Sequence, residues 1–330
     1  MPDAESLLTR SLRGLYMAGR HLHARAAGVV YDLTFPALVR YTRHGGLPAL
    51  KRALIPALIV PAAATHRPRP FVTTTYFGSQ FAGTTGDLIP MAIRLFGVLE
   101  ENLSYWCEAC LAEGDVFVDV GAHLGYFSLL ASRLVGPAGR VVAIDASPAT
   151  FAGLERNVAL NPHAANVRAV CAVAAASRGT CPVYRGPEHS TGITSVHPRP
   201  LTGNRFEAEV AAAPLAGLLS DDEIRRARLV KIDVEGSEFD VVAGLEPLLD
   251  SLRADCEIVV ETSEDWQYGG RPARPDDLAG WFRARGFFVY ILPKDFIVRR
   301  DRARRPQRVD GALHDGYYDL VFSRRNLHAL

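Results

Sequence analysis

Val116-Phe-Val-Asp-Val-Gly-Ala-His-Leu-Gly-Tyr-Phe-Ser128 carries an apolar strand through Asp119 into a glycine turn and then directly into an apolar helix. That order sets the amides of the turn and of the helix N-terminus at the carboxyl end of a parallel strand, where nucleotide-like ligands bind. The glycine spacing selects among such ligands. A dinucleotide loop reads GxGxxG, its second glycine letting the backbone approach a pyrophosphate. Here Gly121-Ala-His-Leu-Gly125 places the imidazole of His123 at that point. The spacing argues against a pyrophosphate and for S-adenosylmethionine (SAM), which has a sulfonium and an amino-acid tail in its place.

The next strand supplies the acid that a ribose requires. Arg140-Val-Val-Ala-Ile-Asp145 ends on a carboxylate 26 residues after Asp119, near the offset of about 20 residues expected for a ribose-binding acid. Ser147-Pro148 then forms an N-cap and first-turn pair for the following helix. Strand, acid, two glycines, helix, strand, acid and cap fall within the length of one βαβ unit. The cofactor-binding set expected from this unit is Asp119, Gly121, Ala122, His123, Gly125, Asp145 and Ala146. For His123, cofactor contact, base and turn packing all stay open.

From Asp115 onward strands and helices alternate. Strands fit at 116–120, 140–145, 167–174, 228–234, 257–262, 287–293 and 318–323, with helices reaching 135 and about 160, and at 237–250 and 276–285. The fold class is α/β, a doubly wound seven-stranded Rossmann-like sheet. Its last two strands lack a helix between them and so should form an antiparallel hairpin at one sheet edge. Upstream, helical spacing runs over 7–25 and 47–59, a proline-rich link spans 61–70, and the turn Thr84-Thr-Gly-Asp87 opens a helical pattern reaching Gly114. The expected organisation is a basic helical accessory segment, 1–85, and a cofactor-binding domain, 86–330.

Composition bounds the function classes. A net charge of +1 with 48% hydrophobic and 22% charged residues is ordinary for a globular protein and gives no global pull toward nucleic acid or membrane. Charge is uneven locally, with ten Lys or Arg against three Asp or Glu in residues 1–70. The only lysines are Lys51, Lys231 and Lys294, so positive charge is almost all arginine. Five cysteines, an odd count, fit a reducing compartment. Cys107-Glu-Ala-Cys110 has metal-ligand spacing but no second pair to complete a tetrahedral site, and reads as a helix with two small apolar residues. No secretory leader is expected at the N-terminus. The longest apolar run, Ala53 to Ala64, is broken by two prolines and falls short of the roughly 18 residues that span a bilayer. A cytoplasmic protein is expected, with weak peripheral membrane contact through the basic N-terminal helices.

A second constellation repeats the logic of the first. Leu229-Val-Lys-Ile-Asp-Val-Glu-Gly-Ser-Glu-Phe-Asp240 is an apolar strand ending in Asp233, with Glu235 and Gly236 in the turn. In a doubly wound sheet this fourth strand lies beside the first, so Asp233 and Glu235 should face the reactive end of the cofactor. Methyl transfer to an alcohol needs a carboxylate that removes the hydroxyl proton as the bond forms, and these two are the expected catalytic residues. Glu238 and Asp240 lie in the first turn of a helix, where acids offset the dipole without chemistry. Glu261, ending Ile258-Val-Val-Glu, is a further candidate by the same strand-end argument. Which of His123, Asp233, Glu235 and Glu261 is the base stays open.

Three motifs then stand together: Gly114 to Gly125, Leu154-Glu-Arg-Asn-Val-Ala-Leu-Asn161, and Val230-Lys-Ile-Asp-Val-Glu-Gly-Ser-Glu238. With Gly97-Val-Leu-Glu100, Ser190-Thr-Gly-Ile-Thr-Ser195 and Ile258 to Glu261, they resemble the FkbM-type methyltransferases over roughly 86–262. The resemblance implies a class I SAM-dependent fold and O-methylation of hydroxyls on sugars or polyketide-like natural products. It also implies that Asp119, Gly121 and Gly125 shape the cofactor loop, that Asp145 holds the ribose, and that Asp233 and Glu235 border the methyl group. The family usually has Asn where His123 stands. Nothing before about residue 80 resembles the common core.

Other readings compete. Arg299 to Arg308 holds six arginines and could meet phosphates, but it lacks interleaved aromatics, and neither base-methylation motif, Asn-Pro-Pro-aromatic or Pro-Cys, is present. A solvated loop is the preferred reading there. A SAM-binding protein without catalysis and a protein methyltransferase are the remaining alternatives. The expected partner is a small-molecule hydroxyl acceptor; the oligomeric state is not legible.

Overall fold

The computed structural model describes residues 68–198, 203–263, 267–268, 271–272, 274–294, 305–314 and 316–327. The helices expected at 7–25 and 47–59, and most of the arginine run at 299–308, lie outside them. Two compact units are distinguished, one holding residues up to Leu99 with Glu188–Thr191, the other Glu100–Pro187 and most of the chain from Gly192 on.

In the first unit, strands β1 (Pro70–Thr74) and β2 (Gln80–Thr84) form an antiparallel hairpin followed by helix α1 (Leu88–Phe96). Asp87 caps α1 by accepting from the Ile89 amide at 3.3 Å and accepts a hydrogen bond from Thr191. Gly97, at φ 76°, closes the helix in the left-handed conformation. The helical pattern expected to run unbroken to Gly114 is thus two helices, and α2 (Glu101–Cys110) belongs to the second unit.

The second unit is built on β3 (Val116–Val120), α3 (Tyr126–Val135), β4 (Arg140–Asp145), α4 (Pro148–Ala159) and β5 (Val167–Cys171). After them come β6 (Val173–Ala174), β7 (Gly179–Arg185), β8 (Arg205–Ala213), α5 (Leu215–Leu218) and α6 (Asp221–Arg226). The chain continues through β9 (Ala227–Ile232), α7 (Glu238–Leu245), β10 (Glu257–Thr262), β11 (Gln267–Tyr268), β12 (Arg271–Pro272) and α8 (Pro275–Arg283). It closes on β13 (Phe288–Leu292), β14 (Gln307–Arg308) and β15 (Tyr318–Ser323). The main sheet runs β14-β13-β15-β10-β9-β3-β4-β5. It has eight strands where seven were expected, the addition being the two-residue β14 beside β13. The expected closing hairpin is present at one end of the sheet, and β15 inserts antiparallel between β10 and β13.

Strands β3, β9 and β10 are mostly apolar because they are buried along their whole length, as central strands covered on both faces must be. β9 lies directly beside β3, with Asp119 in register with Lys231. The span 167–174, expected as one strand, breaks at Ala172, whose amide donates to the Asp145 carbonyl at 3.2 Å. β6 then leaves for a separate three-stranded sheet, β6-β8-β7. Among the described residues no helix is long and apolar enough to cross a membrane.

Candidate active site

Gly121 opens the loop after β3 at φ 81°, and a Cβ there would lie 1.7 Å from the Asp233 carbonyl oxygen. The tips of β3 and β9 therefore touch through bare backbone. Amides of Gly121 and Ala122 both donate to the Ile144 carbonyl, at 2.9 and 3.0 Å. His123 takes a left-handed φ of 51°, a conformation that Asn, Asp and His adopt more readily than other side chains, so the histidine keeps the turn. Its amide donates to Asp145 Oδ2 at 2.8 Å. Gly125, at φ 85°, starts α3 where a Cβ would strike Leu154 Cδ1 at 2.5 Å.

The Asp145 carboxylate is buried at the tip of β4, and its Oδ1 accepts from the Ser147 amide at 3.0 Å. Burial pushes its pKa up to about 7, against the two backbone hydrogen bonds that favour the charged form. Each oxygen takes one amide, which leaves acceptor capacity for two hydroxyls. Ala146 packs partly buried beside it. These residues fit the ribose of the expected cofactor.

Around the tips of β9 and β10 the side chains converge by strand period. Lys231 and Asp233, two apart on β9 and just beyond it, share a face, and Lys231 Nζ is 2.8 Å from Asp233 Oδ2 and 3.9 Å from Asp119 Oδ1. The other oxygen of Asp119 accepts from Ser128 at 2.6 Å. Glu261, one residue before the end of β10, stands opposite Asp319 of β15 and is bonded by both Lys294 and Tyr317. Lys294 Nζ also lies 3.3 Å from Asp319 and 3.7 Å from Glu100. Asn102 of α2 donates to the Pro293 carbonyl at 2.6 Å, which holds the Glu100 end of that helix beside Lys294.

Charge decides the protonation states. Burial raises Asp119 and raises Glu261 strongly, and for Glu261 the nearby charge of Asp233 adds to the effect. Burial also lifts Asp319, to about 7, against the pull of Lys294. Asp233 is the exception: burial opposes its ionisation, but Lys231 and Lys294 together hold it below the ordinary carboxylate range. Both lysines are held protonated by the surrounding acids despite their burial.

Glu235 sits in the turn at φ 57°, and its carbonyl accepts from Ser195 at 2.8 Å. Glu100, at φ 42°, His123 and Glu235 are the non-glycine residues with positive φ among the described residues, and all three border these strand tips. Such strain is retained where the surroundings demand it, commonly at functional sites. Glu238 is fully buried and accepts from the amides of Val234 at 2.9 Å and Gly236 at 3.0 Å. Its role is to hold the Glu235 turn, more than the dipole offset expected of it, while Asp240 stays half-buried in the first turn. Cys107 and Cys110 are free and buried, and Cys110 donates to Glu257 at 3.1 Å.

The structure brings Asp119, Gly121, Ala122, His123, Gly125 and Asp145 around one loop, and Asp233, Glu235 and Glu261 around the neighbouring tips. Lys231, Lys294, Tyr317, Asp319 and Glu100 were not singled out from the sequence. One signal pointed to the lysines. In a chain that places arginine almost everywhere, Lys231 and Lys294 stand where a compact ammonium meets several acids at once.

A family model described as "Methyltransferase FkbM domain" matches residues 119–289, from the acid of the cofactor loop to β13. The chain belongs to the FkbM methyltransferase family. Methyltransferase sdnD of Sordaria araneosa is 27% identical to this FkbM methyltransferase over 221 residues, covering 59% of this chain and 78% of that protein. The hexuronic acid methyltransferase AglP of Haloferax volcanii is 28% identical over 148 residues, covering 42% of this chain and 54% of its own length. The solved FkbM methyltransferase of Methylobacillus flagellatus superposes with a TM-score of 0.40 at 11% identity, over 71% of this chain and 53% of that one. Family membership makes the protein a methyltransferase, for which SAM is the implied methyl donor.

Proposed function

We propose that this FkbM methyltransferase transfers a methyl group from SAM to a hydroxyl oxygen of a sugar or natural-product-like small molecule, in the cytoplasm. The observation that carries the reading is Asp233, a carboxylate with its side chain 20% exposed and kept ionised by Lys231, joined through backbone to the cofactor loop at Gly121. The hexuronic acid in the name of one relative supports a sugar acceptor, and the five free cysteines fit a reducing compartment.

Bound SAM would supply a methyl group on a sulfonium, open to in-line attack by an oxygen lone pair. Asp145, with acceptor capacity left on both oxygens, would hold the ribose hydroxyls, and the turn from Gly121 to Gly125 would hold the amino-acid end. The ionised Asp233 would accept the hydrogen bond of the acceptor hydroxyl and orient its oxygen. Glu235 in the adjoining turn would take the proton that the acceptor hydroxyl gives up on transfer. Proton transfer of this kind contributes about 10²- to 10⁴-fold.

Calorimetry on the full chain tests the cofactor reading: SAM should bind and NAD should not, and the reverse result would overturn it. Asp145→Ala should weaken SAM at least tenfold, in keeping with the roughly 1.5–3 kcal/mol of hydrogen bonds to a charged group. Because the ionised carboxylate is the better acceptor, wild-type affinity should rise as pH passes upward through about 7, and the variant should lack that rise. Radiolabelled methyl transfer to fractionated small-molecule and glycan extracts then identifies the acceptor. With that acceptor in hand, Glu235→Gln and Asp233→Asn should each lower kcat by about 10² or more while changing SAM affinity little. Full turnover in both would remove the base from this turn.

A further inference from the structure

Glu100, Asp233 and Glu261 arrive from the start of α2, the tip of β9 and the tip of β10. One oxygen of each lies within 4.8 Å of one from each of the others. The lysines use only half of what these carboxylates offer. Lys294 engages Oε1 of Glu261 and stands 3.7 Å from Oε1 of Glu100, and Lys231 takes Oδ2 of Asp233. The opposite oxygens of the two glutamates, Oε2 of Glu100 and Oε2 of Glu261, are buried and meet no hydrogen-bond donor. Glu261 as a whole is 3% exposed, and Glu100, although it caps α2, makes no side-chain capping bond to it. Two buried carboxylate oxygens without a donor, on residues of one acidic cluster, are costly unless something positive meets them.

We propose that Glu100, Asp233 and Glu261 form a divalent-cation site of the Mg²⁺ or Mn²⁺ type. An all-oxygen set of three carboxylates suits a hard cation and lacks the imidazole and thiolate ligands that favour zinc or copper. Formal charge agrees. Among the described residues, Glu100, Asp119, Asp233, Glu261 and Asp319 pair with two lysines, Lys231 and Lys294, so with all five acids ionised an acid surplus remains that one net positive charge on a cofactor would not cancel. The site's role rests on the methyl-transfer reading: a cation there would hold the acceptor oxygen and make its hydroxyl more acidic. The competing occupant is a proton on Glu261 shared with Asp233.

Mn²⁺ binding to the full chain, stripped with a chelator and free of SAM, tests the site by the electron paramagnetic resonance signal of unbound Mn²⁺. One saturable Mn²⁺ per chain is expected, displaced competitively by Mg²⁺. Affinity should fall at least tenfold in Glu261→Gln and in Glu100→Gln, each checked for folding by circular dichroism, and should be unchanged in Asp222→Asn on the surface. No saturable site, or wild-type affinity in both glutamate variants, would overturn the proposal and leave the shared proton as occupant. SAM calorimetry on the same metal-free protein separates the two readings. SAM binding without Mn²⁺ binding removes the cation site alone, and Mn²⁺ binding without SAM binding removes the methyl-donor reading alone.

Discussion

Gly121→Ala is expected to lower the melting temperature by roughly 10 °C and to abolish SAM binding. The added Cβ would sit 1.7 Å from the Asp233 carbonyl oxygen and 2.7 Å from its carbon, both backbone atoms that no rotamer change can move. The two tips cannot easily part. Gly121 donates to Ile144 on one side at 2.9 Å, and the Asp233 amide donates to the Val120 carbonyl at 2.9 Å on the other. The clash adds to the cost of a left-handed backbone for an L-residue, about 1–2 kcal/mol, and overpacking costs about 1–3 kcal/mol or more. Gly114→Ala supplies the control: its φ is 88° and nothing lies within 4 Å of the new Cβ. The difference between the two variants in thermal melts isolates the contact between β3 and β9. Equal melting temperatures would show that the backbone contact is not a constraint.

Lys231→Met is expected to be the most damaging change at the site. Removing one partner of a buried ion pair costs about 3–5 kcal/mol when the other charge stays, and here Asp119 loses its cation and Asp233 the stronger of its two. Asp233 now owes its depressed pKa largely to Lys231. A carboxylate depressed in the folded state contributes stability above its unfolded pKa and loses it as pH falls through the folded one. Without Lys231 that stabilising contribution shrinks, because burial, which raises Asp233, is then opposed mainly by Lys294. The gap between wild type and variant in urea melts should therefore widen as pH rises from below the ordinary carboxylate range up through it, and a constant gap would contradict the account. Turnover should fall by about 10² or more, since Asp233 without its closest cation orients the acceptor less well. Lys231→Arg should not restore it, because the ammonium lies 5.2 Å from the Phe127 ring centroid with its side chain only 5% exposed, and a planar fork needs more room.

What was legible followed from local pattern. The strand, turn and helix from Val116 to Val135 are written in consecutive residues, and the buried strands β9 and β10 announce themselves through the apolar stretches Leu229-Val230 and Ile258-Val-Val260. β7 and β8 did not. Gly179–Arg185 carries Pro182, tolerated because β7 edges its three-stranded sheet. Arg205-Phe-Glu-Ala-Glu-Val-Ala-Ala-Ala213 is rich in Glu and Ala, which favour helix, yet pairing with β7 and β6 makes it a strand. The break of the 167–174 span has a similar cause, since the two-residue β6 is defined only by its partner β8.

The sequence by itself determined where the acids would be. Asp119, Asp145, Asp233 and Glu261 follow from strand ends, because a strand's length and the turn residues after it are local properties. Tertiary structure alone decided which of those acids carries a charge. Lys231 reaches Asp233 from the same strand, but Lys294, Tyr317, Asp319 and Glu100 come from segments far apart in the chain. A pKa is set by burial and by the sum of neighbouring charges, and those neighbours meet only when the sheet closes.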